Sequence, residues 1–414
     1  MRRTVCTASL CLLTGTAAAA DYRAGAENYR DYLHRLQPGD RLLLETGDYF
    51  HGLPLQNLSG RAGQPVIIEA ANPAAPPRFI ARPGANTVSL ADVRYLVLRH
   101  LELDGRNQPV DAIKAEGHSR YADFITLEHL FIHDHAASQQ NVGISTKCPA
   151  LGWVVKANRI ERTGTGMYFG DSDGSDPFVG GVIEANRVTQ TLGYNLQIKH
   201  QKTRPAEYAD RYDTLIRYNV FSKRDALPNP QARPNVLLGH LPLTGAGSED
   251  RYLVYGNLFL HNPSEALLQA EGQVAVYDNV LINGSGDAIH VQPHNDVPRD
   301  MAIFSNTVLA SGTGIQVRPA ADTPYRQRVI ANVVVAGTPL QGGEAAYNLT
   351  LPYRPDLLNV AVPELTLRVL SNVQPPRLPD RLVNELASYP DWQRASRPGA
   401  DIAPALLRTL DAQP

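Results

Sequence analysis

The chain repeats itself, and the repeat limits its fold more than any other feature. Apolar stretches interrupted by His or Asn recur as Leu98-Arg99-His100-Leu101, Leu127-Glu128-His129-Leu130 and Val155-Lys156-Ala157-Asn158, and continue around Asn186, Asn219, Asn257, Asn279, Asn306 and Asn332. These positions average about 29 residues apart. Self-similarity at a fixed period of roughly 20–50 residues marks a solenoid. Within each frame apolar and polar residues alternate, as in Tyr252-Leu253-Val254-Tyr255-Gly256-Asn257-Leu258-Phe259, which is the period of a strand and not of a helix. The expected fold is therefore all-β: a right-handed parallel β-helix with an N-terminal cap helix and an irregular C-terminal tail. Asn suits its bends because it tolerates left-handed backbone angles and its amide can pair with the Asn of the next coil. The His and Asn positions are expected to form one column.

A second strand follows each repeat at a similar offset, from Asp111-Ala112-Ile113-Lys114 to Thr313-Gly314-Ile315-Gln316. Taking Ile113, Ile144, Met167, Leu196, Leu267, Ile289 and Ile315 as inward leaves two outward rows, because alternate strand residues face opposite ways. The first row reads Lys114, Ser145, Tyr168, Gln197, Leu268, His290, Gln316, and the second reads Glu116, Lys147, Gly170, Lys199, Ala270, Gln292, Arg318. The coil around Val236 places either Gly239 or His240 opposite Lys199.

The ends differ from the middle. Arg2 and Arg3, an apolar run from Val5 to Leu13 and Ala17-Ala18-Ala19-Ala20 read as a signal peptide over 1–20, which implies a periplasmic or secreted protein. The apolar run is too short to span a bilayer. Residues 21–60 are expected to form an N-terminal cap and first coil, with a helix over 27–37; residues 61–340 form the solenoid and residues 341–414 a capping tail. Only Cys148 follows the signal segment, so no internal disulfide is available. A formal net charge of -2 gives no reason to expect nucleic-acid binding.

The longest interruptions of the repeat fall at 202–211 and 222–234, around Lys199 and His240. Long loops on a rigid scaffold build binding walls, and these carry Lys202, Arg204, Arg211, Lys223, Arg224 and Arg233. A locally basic groove fits an anionic polymer. Removing the proton α to a uronate carboxylate needs a base of lowered pKa and a cation to neutralise the carboxylate. Lys199 is the candidate base, and Tyr168 or His240 the candidate acid. Lys147, Gln197, His200, Lys202, Arg204, His290 and Arg318 are candidate substrate-binding residues. No metal-ligand spacing stands out. Asp171-Ser172-Asp173-Gly174 is only a weak calcium-loop pattern, and Asp176-Pro177 a faint echo of the Asp-Pro motif of alginate epimerases.

The stretch Pro38-Gly39-Asp40-Arg41-Leu42-Leu43-Leu44-Glu45-Thr46-Gly47-Asp48-Tyr49, with Gly63-Gln64-Pro65-Val66-Ile67-Ile68, Tyr95-Leu96-Val97-Leu98 and Leu103-Asp104-Gly105, resembles the opening coils of the chondroitinase B and alginate lyase family of β-helix polysaccharide lyases. The likeness covers roughly residues 26–340. It implies β-elimination on a uronate-containing polysaccharide, with Lys199 of Leu196-Gln197-Ile198-Lys199 in the place of the family's base. The family's Arg-His-Gly motif reads Leu237-Leu238-Gly239-His240 here, so its catalytic arginine is not matched. Leu192 and Tyr194 stand where the family holds calcium with acidic residues, so no cofactor is expected. The alternative to a lyase is a non-catalytic glycan-binding or cell-envelope protein; a glycoside hydrolase or an epimerase is a further alternative.

Overall fold

Each repeat supplies three short strands, and each strand buries apolar side chains on its inner side, the central one on the first two faces and the two flanking ones on the third. In one coil these strands are Val182–Glu184, Arg187–Thr189 and Leu196–Ile198; in the next they are Asp213–Arg217, Val220–Ser222 and Val236–Leu238. Parallel pairing puts Ile183 beside Ile216, Val188 beside Phe221 and Leu196 beside Val236. The computed structural model describes residues 19–318, 324–371, 373–392 and 396–411, and across them this stacking makes a right-handed parallel β-helix with three faces. The first face is a 13-stranded sheet. The second and third count as one 21-stranded sheet because Thr307–Val317 and Val333–Gln341 run on through the corner between them.

Three inward columns fill the core. The first face contributes Leu127, Val155, Ile183, Ile216, Val254, Val276 and Ile303, the second contributes Ile132, Ile160, Val188, Phe221, Phe259, Leu281 and Val308, and the third contributes Ile113, Ile144, Met167, Leu196, Val236, Leu268 and Ile289, all fully buried. Burying each such side chain stabilises by about 1.5–3 kcal/mol.

The bend between the first two faces needs a left-handed residue in every coil, followed in most by an Asn. Ala157, Ala185, Tyr218, Gly256, Asp278, Ser305 and Ala331 all have φ between 50° and 62°. The Asn that follows keeps a negative φ and uses its side chain to satisfy the backbone. The Asn186 amide donates to Val155 O at 2.8 Å and to Asn219 Oδ1 at 3.0 Å, and its backbone N–H reaches the same oxygen at 2.9 Å. This ladder runs from Asn158 to Asn348. The expected single column of His and Asn is therefore corrected: His100 and His129 occupy the left-handed position (φ 56° and 53°) and stack with centroids 5.0 Å apart. Leu130, the residue after His129, donates its N–H to Asn158 Oδ1.

Two further expectations shift. The cap helix covers only Arg30–Leu33. Tyr29 before it supplies no side-chain cap and packs its ring against Tyr49 and Phe79 instead, closing the column's end. At the other end a further coil, Glu344–Ala346 and Leu349–Pro352, continues the pairing past residue 340.

The tail then covers two faces. Leu378, Leu386 and Trp392 pack on Tyr255, Tyr277 and Phe304 outside the first face, while Leu357, Leu365, Val369 and Leu406 pack on Val280, Leu309 and Val333 outside the second. Among the described residues no apolar cluster of the tail includes the third face, so its outer rows are left to loops and solvent. No helix of the described residues is long and apolar enough to cross a membrane. The basic and apolar parts of the expected signal segment, through residue 18, lie outside the described residues.

Candidate active site

The third face carries its polar side chains outward in register. Lys114 pairs with Ser145, Ser145 with Tyr168, Tyr168 with Gln197 and Gln197 with Leu237. Leu237 then pairs with Gln269 and Gln269 with His290. Leu268 therefore points inward, where Leu267 was expected to, and Gln269 takes the outward place, because a one-residue slip reverses a strand's faces.

Two residues further along each strand, Lys147, Gly170, Lys199 and Gly239 follow one another. Gly239 donates its N–H to Ile198 O at 2.9 Å, and a Cβ there would lie 2.3 Å from the His200 nitrogen. Only glycine fits that approach, which settles the register left open by the sequence: Gly239 stands opposite Lys199. Gly170 likewise leaves space beside Lys199, whose Cβ is 3.2 Å from where a Gly170 Cβ would be. Lysines thus alternate with glycines, two coils or about 10 Å apart along the axis.

These side chains line a cleft of about 490 Å³. Lys147, Tyr168, Gln197 and Lys199 come together there, joined by Lys114, Asp111, Tyr194 and Arg233. The Lys147 ammonium lies 3.5 Å from the Tyr168 ring centroid and 3.4 Å from Gly170 O. Burial pulls the Lys147 pKa down to about 8; Asp111 works against the shift, and Lys114 and Lys199 assist it. Burial raises the Tyr168 phenol, with Asp171 adding to the shift, so the phenol holds its proton at neutral pH. Asp111 is raised by burial and accepts the Val142 N–H at 2.8 Å.

The other expected site residues lie elsewhere. His240 follows Gly239 and so stacks on His200 (centroids 5.4 Å apart) and not on Lys199; neither ring lines the cleft. Burial and the neighbouring His240 and Lys199 lower the His200 pKa. Lys202 is exposed, with its N–H on Gly174 O. Arg204 is not available to a ligand: its side chain is 2% exposed and holds Asp250 at 2.6 and 3.0 Å. His290, three coils beyond Gln197, sits 3.0 Å from Asp287, and Arg318 is exposed one coil further. The sequence reading missed Asp111, Lys114, Tyr194 and Arg233 as members of one cleft. Lys114 already stood in the outward row, and Arg233 in the basic loop.

The residues present do not fit the calcium that the resemblance implies. Leu192 and Tyr194 offer no carboxylate, and Asp111, whose Oδ1 accepts the Val142 N–H, stands alone among them. In the Asp171–Asp173 loop the carboxylates turn onto their own backbone, Asp173 accepting from Ser175 N–H and Asp171 from Asp176 N–H. The described residues do bring Asp104, His133 and Asp134 together on the second face, where Arg162 Nε already donates to Asp134 at 2.7 Å.

No protein-family model matches the chain, and no curated protein matches it in sequence. Solved structures do share its fold. An alginate lyase from Paenibacillus sp. is 14% identical over 81% of this chain and 96% of that one, with a TM-score of 0.50. A mannuronic acid specific polysaccharide family 6 lyase from human gut microbiota is 15% identical over 95% and 98%, with a TM-score of 0.50. A GH136 lacto-N-biosidase from Eubacterium ramulus is 15% identical over 80% and 68%, with a TM-score of 0.52. The fold is thus one that polysaccharide lyases use and that at least one glycoside hydrolase also uses.

Proposed function

We propose that the protein is an exported lyase that cleaves a uronate-containing polysaccharide by β-elimination in the third-face cleft. One observation carries this reading: a lysine whose pKa is pulled down to about 8 stands against a protonated tyrosine inside a cleft edged by further cations. A base and an acid held side by side, with positive charge nearby, are what α-proton abstraction from a uronate requires.

In this reading Lys147, and not Lys199, is the base. Its neutral amine takes the proton at C5, next to the carboxylate. That electron pair forms the C4=C5 double bond as the C4–O glycosidic bond breaks, and Tyr168 gives its proton to the departing oxygen. Solvent exchange then returns the proton from Lys147 and reprotonates Tyr168. Lys199 and Arg233 face the carboxylate and stabilise the charge that builds on it. Export rests on the basic, apolar and small-residue succession of residues 1–20.

The test is incubation with alginate, pectate, dermatan sulfate and heparin, following the ultraviolet absorbance of the new unsaturated uronate. The reading expects product from at least one polymer, with Lys147→Met lowering turnover by about 10²–10⁴-fold. Retention of every polymer without product would favour the glycan-binding alternative.

A further inference from the structure

We propose that Lys223 is a positioning residue that fixes Arg233 in the wall of the cleft. Lys223 follows the strand Val220–Ser222 and is 2% exposed. Its Nζ donates to the Arg233 carbonyl at 2.7 Å, and the Asn262 amide donates to the same oxygen at 2.8 Å. Asn262 also bonds Asn235 Oδ1 at 2.9 Å, so the carbonyl is tied into the buried corner of the column. Beyond this tie the Arg233 guanidinium carbon lies 5.9 Å from the Tyr194 ring centroid, at the edge of the cleft.

The intervening residues 224–232 form one of the long interruptions of the repeat. Within them Gln231 N–H bonds Leu192 O at 2.7 Å, Ala226 N–H bonds Lys223 O at 3.2 Å and Arg224 N–H bonds Ser222 Oγ at 3.1 Å. Among the described residues no carboxylate forms an ion pair with Lys223. An apolar side chain of similar length would fill the same space without the cost of desolvating an amine. What distinguishes lysine here is a donor long enough to reach from the second face to the root of Arg233. Burial brings its pKa down to about 7, and the tether survives titration because the neutral amine still donates an N–H. Lys223 does not line the cleft, so its effect on a ligand passes through Arg233.

Hydrogen exchange without ligand tests the tether directly. Lys223→Met should speed exchange of the hydrogen-bonded Arg224, Ala226 and Gln231 amides by about tenfold or more, with the strand amides unchanged. Exchange at the wild-type rate overturns the proposal. The kinetic arm rests on the cleft's reading as a uronate site and uses oligomannuronate as probe. Lys223→Met should lower kcat/KM, as Arg233→Ala should, and should add nothing in the Arg233→Ala background, because residues acting as one unit are non-additive. Additive effects overturn it. If no uronate polymer is processed, the lyase reading fails while the exchange result still decides this one. If Lys223→Met does not fold, Lys223→Gln, a donor on a shorter arm, replaces it in the exchange measurement with the same two outcomes.

Discussion

The Lys147 ammonium lies 3.5 Å from the centroid of the Tyr168 ring, one coil away on the open face of the column. The two residues are 21 positions apart in sequence, and only the stacking of one coil on the next brings them together. The tail's apolar clusters pack on the C-terminal coils of the first and second faces and, among the described residues, leave the third face uncovered, so the pair stands where the scaffold leaves room for a polymer.

The Asn ladder is the first thing to test in the scaffold. Asn219 donates to Ile183 O at 2.9 Å and Asn257 Oδ1 at 3.0 Å, and its own Oδ1 accepts from Asn186 at 2.9 and 3.0 Å. Asn219→Leu strands these fully buried groups. It should cost about 2–4 kcal/mol, since each unmet buried partner costs roughly 1–3 kcal/mol. Urea unfolding followed by circular dichroism reads the loss.

Arg204 should behave as a structural residue. Its ion pair with Asp250 is buried on both sides, 2% and 6% exposed. Arg204→Met leaves Asp250 without its partner and should destabilise by about 3–5 kcal/mol. At temperatures where the variant stays folded, KM for a polyuronate should remain within about twofold of wild type, because the side chain removes an unavailable charge and not a ligand contact.

Cys148 should be silent in the folded protein. It is fully buried, and burial pushes its thiol up to about 12. Thiolate is the reactive form, so a disulfide reagent at pH 8 should label it only after denaturant is added. Fast labelling under native conditions would mean that the corner at Lys147-Cys148 opens.

The architecture was legible because a solenoid writes its period into the chain: Asn158 through Asn332 mark one bend of successive coils, and the inward residue of each strand is apolar. What the period does not give is the register of a single coil. Leu267-Leu268 offers two equivalent apolar residues, and only pairing shows that Leu268 is the one stacked. Gly239 is decided by how close the His200 backbone passes, which no pattern records. The site was half legible for a related reason. Lys147, Tyr168, Gln197 and Lys199 follow from strand alternation. Arg204 looks like any other loop arginine until Asp250, 46 positions on, is seen to close over it. The lowered pKa of Lys147 depends on burial between coils, which no motif around Lys199 records.

The central claim is that Lys147 works as a base, and the pH dependence of kcat/KM for unsaturated-uronate release reads it directly. Its pKa in the folded protein is lowered to about 8, and the active form is the neutral amine. The rate should therefore climb about tenfold per pH unit up to roughly pH 8 and then level off, with Lys147→Met losing the activity and the profile together. A rate flat between pH 5 and 9, or Lys147→Met turning over at the wild-type rate, would contradict the account.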